Sequence, residues 1–572
     1  MVATCRSGGE SVCRGNFHWS SRARHKRHKS IMNRIIVLAI AFVVLLATPL
    51  WLSTENSSKA NAVIKNGAQS GKANREVIII TPSNEQIRME FGLAFAAWHE
   101  KKYGETADVQ WSTPGGAIDI RRMLVASWES RLEKNLPVGG DADLIFGGGS
   151  FEFDTLKKEI SVTVHVNGDK RTNFATILEP VELPVALVQE CYGISDIAGQ
   201  KLYDPKGYWY GVALATFGIM MNMDQLEKLH VPELKSWSDL ADPRLFGWVS
   251  LVNPSQSGSV LTAFESIAQR VGWVEGLAIL RRAGANARGF AASGPRVPID
   301  VSSGDAAVGV AIDFYARFQI QAINDATAGA PGQHQDQHQV QRVQLIFNAP
   351  MGQSSVDPDP IGLLRNAPHR ETAIRFMEFC LTKDAQRLWQ FRAGAPGGPQ
   401  QFELRRMPVM RSLYTNEMTQ FIDQVDPLTI ASAVKFDNPS MRAFIPIVFQ
   451  TMAMDTHTQL KDAWNAIISH PAYPRGNHGV VHACDVADAQ LKSWLEKFDA
   501  LPMVPTPQGD KPLADMDQLK SLRDGWPRNG WKDEHVWPAQ SEPMDALGQL
   551  FLPFFKENYQ WIVDQAGKQK TA

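Results

Sequence analysis

The feature that most constrains the fold of this 572-residue chain is a strand, a short polar loop and an amphipathic helix in direct succession at residues 247–271. The apolar run Trp248–Val252 predicts a strand, and Asn253-Pro254 ends it. Small polar residues, Ser255–Ser259, form the loop, and apolar residues then recur at a helical period: Val260, Leu261, Phe264, Ile267, Ala268 and Val271. A helix that begins at the end of a strand presents unpaired backbone N–H groups, which suits an anionic ligand. The alternative is an ordinary serine cap on an α/β crossover.

The same unit occurs three times near the start of the predicted folded region. Its strands are Glu76–Ile80, Asp108–Ser112 and Asp143–Phe146, and the loops that follow them are Thr81–Asn84, Thr113–Gly116 and Gly147–Ser150. Repeated strand-loop-helix units predict a doubly wound sheet that binds its ligand outside the carboxyl ends of the strands. The glycine run at Gly147–Ser150 does not continue into either phosphate-loop pattern, so a nucleotide site is not favoured.

Later segments predict a second lobe and a return to the first. Gly211–Asn222 is a long apolar strand region, Val308–Ile312 is a further strand, and Val343–Phe347 is expected to lead back to the first lobe. The predicted fold is therefore α/β and two-lobed, with chain exchange between the lobes and a helical C-terminal extension. The predicted divisions are 76–180 for lobe 1, 181–320 for lobe 2, 321–342 for a polar insert, 343–400 for the return to lobe 1 and 401–572 for the extension.

The N-terminus predicts export. A basic segment, 1–34, precedes an apolar run, 35–52, which is either a signal peptide or a membrane anchor, and residues 53–75 have the composition of a linker. Met32 is an alternative start of the signal sequence. We therefore expect a periplasmic or cell-surface protein. After Arg34 the chain is mildly acidic and has no basic run, so nucleic acid is not an expected partner.

Four motifs, in this order, carry a family resemblance. They are Trp237-Ser238-Asp239-Leu240 with Asp242-Pro243, then Asn253–Gly258, then Ser303–Gly309, and finally Asp359-Pro360-Ile361 followed by Ala367-Pro368-His369 and by Ala373 and Phe376–Phe379. With them the sequence resembles the extracellular solute-binding proteins of bacterial ABC importers, of the type 2 group that includes ferric-iron, thiamine and polyamine binders. The resemblance covers residues 76–400.

The resemblance implies a non-enzymatic receptor without a cofactor, which captures a small molecule or ion in a cleft between lobes and delivers it to an ABC permease in the inner membrane. The expected ligand is an anion, or ferric iron with a synergistic anion. Two alternatives remain open at this point. One is an exported cell-envelope enzyme that uses Asp313 or Asp143, although GxSxG, HExxH and a recognisable Ser/His/Asp set are absent from the sequence. The other is an envelope scaffold that uses the C-terminal extension.

The predicted ligand-binding residues come from the strand-end loops and from the second lobe. The loop residues are Thr81, Ser83, Asn84, Gly115, Gly148, Ser150, Ser255, Ser257 and Gly258, and the others are Tyr208, Tyr210, Asp313 and Tyr315. The tyrosines are included by analogy with relatives that bind through tyrosines of the second lobe. Iron-binding relatives use an adjacent tyrosine pair, whereas Trp209 separates Tyr208 from Tyr210 here. A second candidate metal site is the HxxxH pattern at His334 and His338, whose alternative is a solvated glutamine-rich loop.

Overall fold

A computed structural model of the protein describes residues 75–571, except 167–168, 329–342, 431–437, 439, 477, 532–535 and 537–540. The predicted basic segment, signal peptide or anchor and most of the linker lie outside the described residues, as does the HxxxH pattern of the polar insert. In the described part of the chain, no helix combines the length and apolar character needed to cross a membrane. Residues 73–572 form one compact unit.

The described residues form seventeen strands. They are β1 (Arg75–Ile80), β2 (Ala107–Ser112), β3 (Leu144–Phe146), β4 (Glu159–Val166), β5 (Asp169–Thr176), β6 (Leu178–Glu179), β7 (Asp196–Ile197), β8 (Gln200–Lys201), β9 (Tyr210–Asn222), β10 (Val249–Val252), β11 (Ala287–Ala291), β12 (Val308–Ile312), β13 (Leu345–Asn348), β14 (Val356–Leu364), β15 (Met407–Pro408), β16 (Met503–Val504) and β17 (Lys511–Pro512).

The α-helices are α1 (Glu85–Tyr103), α2 (Ala117–Glu133), α3 (Ser150–Leu156), α4 (Val185–Tyr192), α5 (Met223–Lys228), α6 (Gly258–Val271), α7 (Trp273–Ala285), α8 (Arg296–Ser302), α9 (Asp313–Ala328), α10 (Arg370–Cys380), α11 (Lys383–Arg387), α12 (Arg411–Asn416), α13 (Pro427–Ile430), α14 (Met441–Phe449), α15 (His457–Ser469), α16 (Ala489–Asp499), α17 (Leu519–Gly525) and α18 (Pro543–Thr571).

One strand, β9, joins the two halves of the main sheet. The strand order is β11-β10-β12-β9-β14-β3-β1-β2, and every residue of β9 is buried. The first half of β9, Tyr210–Thr216, pairs antiparallel with β14, and the second half, Phe217–Met221, pairs antiparallel with β12. The two-lobed α/β fold predicted from the sequence is confirmed, and the long apolar run of β9 is the segment that both lobes share.

Lobe 1 and lobe 2 each have a core beside one half of β9. In lobe 1, strands β1, β2 and β3 are mutually parallel, and helices α1, α2 and α10 cover them with aromatic side chains such as Phe91 and Phe376. In lobe 2, β10, β11 and β12 are parallel, and the amphipathic helix α6 buries Phe264 and Ile267 against them. The carboxyl ends of both sets of parallel strands lead into loops, as the sequence predicted.

The point at which the chain returns to lobe 1 differs from the sequence expectation. Strand β13 pairs with Ile219–Asn222, in the lobe 2 half of β9, so Leu345–Asn348 still belongs to lobe 2 and the return expected at Val343–Phe347 comes later in the chain. The return is made by β14, which pairs with β3 and with the lobe 1 half of β9. A short apolar run carries no information about which half of a shared strand it joins.

Two further segments differ from the expected pattern. The apolar positions between His369 and Trp389 predict one helix, but the structure has two, α10 and α11. Thr382 caps the second helix, because its hydroxyl accepts a hydrogen bond from Ala385 N (3.3 Å). An antiparallel hairpin, β4–β5, follows α3 and was not expected, and Phe174 on it is 65% exposed.

The C-terminal extension is not a separate body. Its first part, around Met407–Leu413, packs in the lobe 1 core, and helices α14 to α18 share one hydrophobic core with lobe 2. Trp273 Nε1 donates to Leu513 O (2.8 Å), and Trp464 Nε1 donates to Asn286 Oδ1 (2.9 Å). Helices α14 to α18 of the extension therefore enlarge lobe 2.

Gly218 lies where β9 is most tightly enclosed. A Cβ at this position would lie 2.3 Å from Asn348 O, which is a backbone atom and cannot rotate away. We expect Gly218→Ala to lower the free energy of unfolding by about 1–3 kcal/mol, because overpacking forces backbone shifts. Gly289→Ala on β11 is the matched control, since nothing lies within 4 Å of its Cβ position.

Urea denaturation of both variants measures the difference. The control is expected to stay within about 0.5 kcal/mol of the unsubstituted protein. Equal stability of the two variants would mean that β9 adjusts freely at the junction of the lobes.

Candidate functional site

A pocket of about 200 Å³ lies between the two lobes. Its walls come from six strand-end loops, three from each lobe, and from the middle of β9 and β14. The loop segments that line it are 82–84, 116–117, 148–152, 256–259, 293–295 and 314–315. Two arginines, Arg406 and Arg442, complete the lining. The position of the pocket follows from the rule that α/β sheets bind ligands outside the carboxyl ends of their strands.

The first loop of lobe 1 is held in place by its own side chains. The buried Thr81 hydroxyl donates to Phe146 O (2.7 Å) and accepts from Ser83 N (3.0 Å). Asn84 caps helix α1, because its Oδ1 accepts from Ile87 N (3.1 Å). Ser83 and Asn84 line the pocket, whereas Thr81 supports the loop from behind.

The glycine loop of lobe 1 already holds an anion, and this anion belongs to the protein. Asp359 Oδ1 accepts from Gly148 N (2.7 Å) and from Gly149 N (2.9 Å), and Asp359 Oδ2 accepts from the Arg406 guanidinium. The positive φ angles of Gly148 (118°) and Gly149 (86°) let both N–H groups reach this one oxygen. A ligand anion would have to compete with a carboxylate for these donors.

Asp357 lies beside Asp359 on the same face of β14, because residues two apart on a strand point to the same side. Its Oδ1 accepts from the Ser150 hydroxyl (2.7 Å) and from Gln200 Nε2 (3.1 Å), both of which are neutral groups. Burial raises the pKa of Asp357 to about 7, and the nearby Asp359 also raises it, while the Ser150 hydrogen bond and the charge of Arg442 act in the opposite direction. The pocket thus contains a carboxyl group without an ion-pair partner among the described residues.

The lobe 2 wall consists of hydroxyl groups at the start of α6. Ser257 caps this helix by accepting from Val260 N (3.4 Å), and its Oγ is 3.1 Å from Ser259 Oγ. A Cβ on Gly294 would lie 3.6 Å from Ser257 Oγ, Ser259 Oγ and Tyr315 Cε2, so three loops meet at this position. The first N–H groups of α6 have no acceptor within the helix, which makes this wall the donor side of the pocket.

Each of the two pocket arginines contacts a carboxylate on its own lobe and a phenylalanine on the other lobe. Arg406 is anchored in lobe 1 by Asp359, and its guanidinium carbon lies 4.3 Å from the ring centroid of Phe314 in lobe 2. Arg442 is anchored on lobe 2 by Glu265 (2.7 Å), and its guanidinium carbon lies 4.1 Å from the ring centroid of Phe151 in lobe 1. In both cases Nε is buried and has no hydrogen-bond partner among the residues that the structure describes.

The structure brings six predicted site residues to the pocket wall: Ser83, Asn84, Gly148, Ser257, Gly258 and Tyr315. Ser150 lies just behind the wall and holds Asp357, whereas Gly115 and Ser255 stand outside it, next to the lining residues Gly116 and Gln256. Asp313 is 1% exposed and accepts from Phe314 N (2.8 Å), so it supports the loop from below.

Tyr208 and Tyr210, which were expected in the second lobe, lie in lobe 1 and do not line the pocket. Tyr210 is buried in the lobe 1 core and donates to Val181 O (2.8 Å), while Tyr208 packs against the neighbouring lobe 1 cluster around Phe153. This pair was expected at the pocket by analogy with relatives. Tyr208 precedes β9 and Tyr210 begins it, in the half of β9 that pairs with the lobe 1 strand β14. Tyr315 remains at the pocket, and burial raises the pKa of its phenol.

Asp143, the other acid considered for catalysis, has a structural role. It is fully buried in lobe 1, where its carboxylate accepts from Ile78 N (2.7 Å) and from His369 N (2.5 Å). It does not line the pocket. Neither proposed catalytic acid is therefore in contact with the space that a substrate would occupy.

The sequence reasoning missed the charged residues of the site. Asp357 and Asp359 had a detectable signal, since Asp-Pro-Asp-Pro alternates along a predicted strand and places both carboxylates on one face. Arg406 and Arg442 had none, because their pocket positions depend on contacts with residues far away in sequence.

Residues 189–408 match the family model described as bacterial extracellular solute-binding protein. The resemblance predicted from the sequence is confirmed. This solute-binding segment begins within α4 and ends at β15, so it includes β9, all of lobe 2's strands and β14, and excludes the later part of the extension.

Two curated relatives are similar over part of the chain. The phosphoglycerate transport regulatory protein of Salmonella typhimurium is 24% identical over 305 residues, which cover 50% of this chain and 66% of that protein. The iron uptake protein A2 of Synechocystis is 27% identical over 197 residues, which cover 33% of this chain and 52% of that protein. The chain therefore spans just under two thirds of the first relative and about half of the second.

Solved periplasmic binding proteins also align with the chain. The protein from Actinobacillus pleuropneumoniae solved with fructose-6-phosphate has a TM-score of 0.44 at 16% identity, and the alignment covers 68% of this chain and 98% of that one. An iron- and citrate-bound protein from Trichodesmium has a TM-score of 0.42 at 15% identity, with coverage of 66% and 98%.

The buried acid Asp357 in the pocket predicts a pH dependence of stability. Because the pKa of Asp357 is about 7 when folded and near its ordinary value of 3.8 when unfolded, the folded protein holds a proton that the unfolded chain releases between these values. Stability from this group is therefore lost as the pH rises through this window. We expect Asp357→Asn to raise the melting temperature at pH 8 and to give a progressively smaller gain toward pH 4.

Differential scanning fluorimetry from pH 4 to pH 8 measures this change. Asp305→Asn is the control, since Arg288 lowers the pKa of this exposed carboxyl and its removal should bring no gain at pH 8. A melting-temperature difference for Asp357→Asn that stays constant across the range would contradict the assignment.

Proposed function

We propose that this protein is the solute receptor of an ABC importer, and that it captures a small organic anion that also carries hydroxyl or amino groups. The solute-binding family supports the receptor role and the exported location. Delivery to an inner-membrane permease, and export through the N-terminal apolar run as signal peptide or anchor, are parts of the same proposal.

The ligand class is inferred from the hydrogen-bonding groups of the two pocket walls, which are acceptors on lobe 1 and donors on lobe 2. On lobe 1, the anion-binding N–H groups of Gly148 and Gly149 are used by Asp359, and Asp357 offers carboxyl oxygen to hydrogen-bond donors. On lobe 2, the hydroxyls of Ser257 and Ser259 stand at the positive end of α6. A ligand with an anionic group at one end and hydroxyl or amino groups at the other fits this arrangement.

The proposed anion site includes fewer loops than the sequence predicted. The sequence expectation assigned the anion to loops of both lobes, 81–84, 148–150 and 255–259. The contacts of Asp359 favour lobe 2, with the lobe 1 loops binding the uncharged part of the solute. The name of the Salmonella relative adds support, since a phosphoglycerate has both an anionic group and a hydroxyl group.

Ferric iron with a synergistic anion is the second candidate. It is supported by the name of the Synechocystis relative and by Tyr315, whose ring lines the pocket near Asp359 and Arg406. Among the described residues, however, no group of three or more histidine, cysteine, aspartate or glutamate side chains has the arrangement of a metal site. A hydroxylated organic anion would find partners for more of the polar groups that line the pocket than ferric iron would.

Calorimetry with the purified protein tests the receptor role. We expect 3-phosphoglycerate to bind with one-to-one stoichiometry, and mass spectrometry to recover it unchanged. Glycerate and inorganic phosphate each lack part of the ligand and should bind more weakly. Tight binding of ferric citrate with none of 3-phosphoglycerate would favour iron, binding of putrescine alone would overturn the anion proposal, and conversion of the ligand would overturn the receptor role.

Substitutions at Ser257 and Gly258 test the anion wall. A Cβ on Gly258 would lie 3.8 Å from Ile118 Cγ1 and 4.0 Å from Glu152 Oε1, so a side chain there extends across the cleft without disturbing helix α6. We expect Gly258→Leu to abolish measurable binding with little change in melting temperature. Ser257→Ala should lose binding free energy on the order of 1–2 kcal/mol, because it removes one hydroxyl and leaves the N–H groups.

Thr382→Ala is the matched control for the loss of a helix cap. Thr382 caps α11 in lobe 1 in the same way that Ser257 caps α6, and it does not line the pocket. It should lower the melting temperature and leave affinity unchanged. If Ser257→Ala behaves like this control, Ser257 acts only as a cap.

A further inference from the structure

The C-terminal extension is fixed rigidly to lobe 2. Arg282 in α7 makes two hydrogen bonds to the Asp499 carboxylate at the end of α16 (2.7 and 2.9 Å), and both Arg281 and Arg282 are almost fully buried. Helix α14 packs on α6 and shares its hydrophobic core. The position of a side chain on α14 is therefore set as firmly as one on lobe 2 itself.

One side chain of the extension reaches the pocket. Arg442, in the first turn of α14, donates through one terminal nitrogen to Glu265 Oε2 (2.7 Å) and to Thr262 Oγ1 (3.0 Å) on α6. Its side chain is 6% exposed, and it lines the pocket. Its Nε is buried without a hydrogen-bond partner in the described structure. A guanidinium has five N–H donors, so this group retains unused donors beside the pocket.

The same guanidinium also crosses between the lobes. Phe151, whose ring centroid lies 4.1 Å from the Arg442 guanidinium carbon, is on α3 of lobe 1, while Arg442 is anchored on lobe 2. Phe151 is 45% exposed in spite of this contact. An arginine that stacks on an aromatic face gains attraction from the ring quadrupole and leaves its N–H edge available to a ligand.

We propose that the C-terminal extension completes the binding site by supplying Arg442, which binds the anionic group of the solute and holds lobe 1 through Phe151. The ligand part of this statement rests on the proposed function, and the contact between the lobes does not. Residue 442 lies beyond the segment that matches the solute-binding family model, so this contribution comes from a part of the chain outside the matched segment.

Arg442 variants test the ligand contact. In calorimetry with 3-phosphoglycerate and with inorganic phosphate, we expect Arg442→Met to weaken binding at least 30-fold, and Arg442→Lys to recover part of the loss because it restores the charge without the planar fork. Glu265→Gln keeps the arginine and removes its counter-charge, so affinity should stay equal or rise.

Arg282→Met is the matched control. It removes another arginine that joins the extension to lobe 2 by a buried ion pair, but it lies away from the pocket. It should lower the melting temperature and leave affinity within twofold. If Arg442→Met also binds within twofold of the unsubstituted protein, Arg442 is only a docking contact and the ligand part of the proposal is overturned.

Small-angle X-ray scattering of the ligand-free full-length protein tests the contact between the lobes without any ligand. We expect Arg442→Met and Phe151→Leu to increase the radius of gyration, and Phe174→Leu on the exposed β4–β5 hairpin to leave it unchanged. No increase in either pocket variant would overturn the bridging role. If the unsubstituted protein binds neither probe, the proposed ligand class fails, and the scattering result still decides whether Arg442 joins the lobes.

Discussion

The shared strand β9 is the constraint on which the rest of the structure depends. All its residues are buried, and its two halves pair with strands of different lobes. Backbone hydrogen bonds on both edges leave it no freedom to slide, and Gly218 sits against Asn348 with no space for a side chain. A bend about this strand would change the angle between the lobes and keep the hydrogen bonds on both of its edges. The pocket lies beside its midpoint, where Ala215 and Phe217 contact the cavity, so a small bend changes the distance between the walls.

A second consequence concerns electrostatics. A strand-end glycine loop would ordinarily bind an anion, but Asp359 occupies the donors of Gly148 and Gly149, and Arg406 neutralises its other oxygen. Asp357 then remains in the same low-dielectric space with only neutral partners, which is why burial raises its pKa. The protein thus makes the lobe 1 wall an acceptor of hydrogen bonds. In the proposed function, anion recognition therefore falls to lobe 2, through the hydroxyls and helix terminus of α6 and through Arg442.

Local features of the sequence were sufficient for the two-lobed fold and for six of the residues that line the pocket. Strands and their polar loops follow from apolar runs and small residues, so Ser83, Asn84, Ser257 and Gly258 could be placed at the strand ends. No local pattern indicates which half of β9 pairs with β13 or that Tyr210 is buried. Both depend on tertiary contacts. The arginines show this most clearly, since Arg442 reaches the pocket through Glu265, which is 177 residues away in sequence.

The two arginines also show how the charged walls of the pocket contact each other. Each guanidinium has a carboxylate on its own lobe, Asp359 for Arg406 and Glu265 for Arg442. Each then stacks on a phenylalanine of the opposite lobe, Phe314 and Phe151 respectively. The contact between the lobes therefore places each charge against an aromatic ring, which contributes about 0.5–2 kcal/mol per contact, rather than against a like charge. Because each carboxylate is on the same lobe as its arginine, separation of the lobes would leave neither cation without its counter-charge. In the proposed receptor, a solute anion bound to the unused guanidinium donors would add its own attraction to this contact.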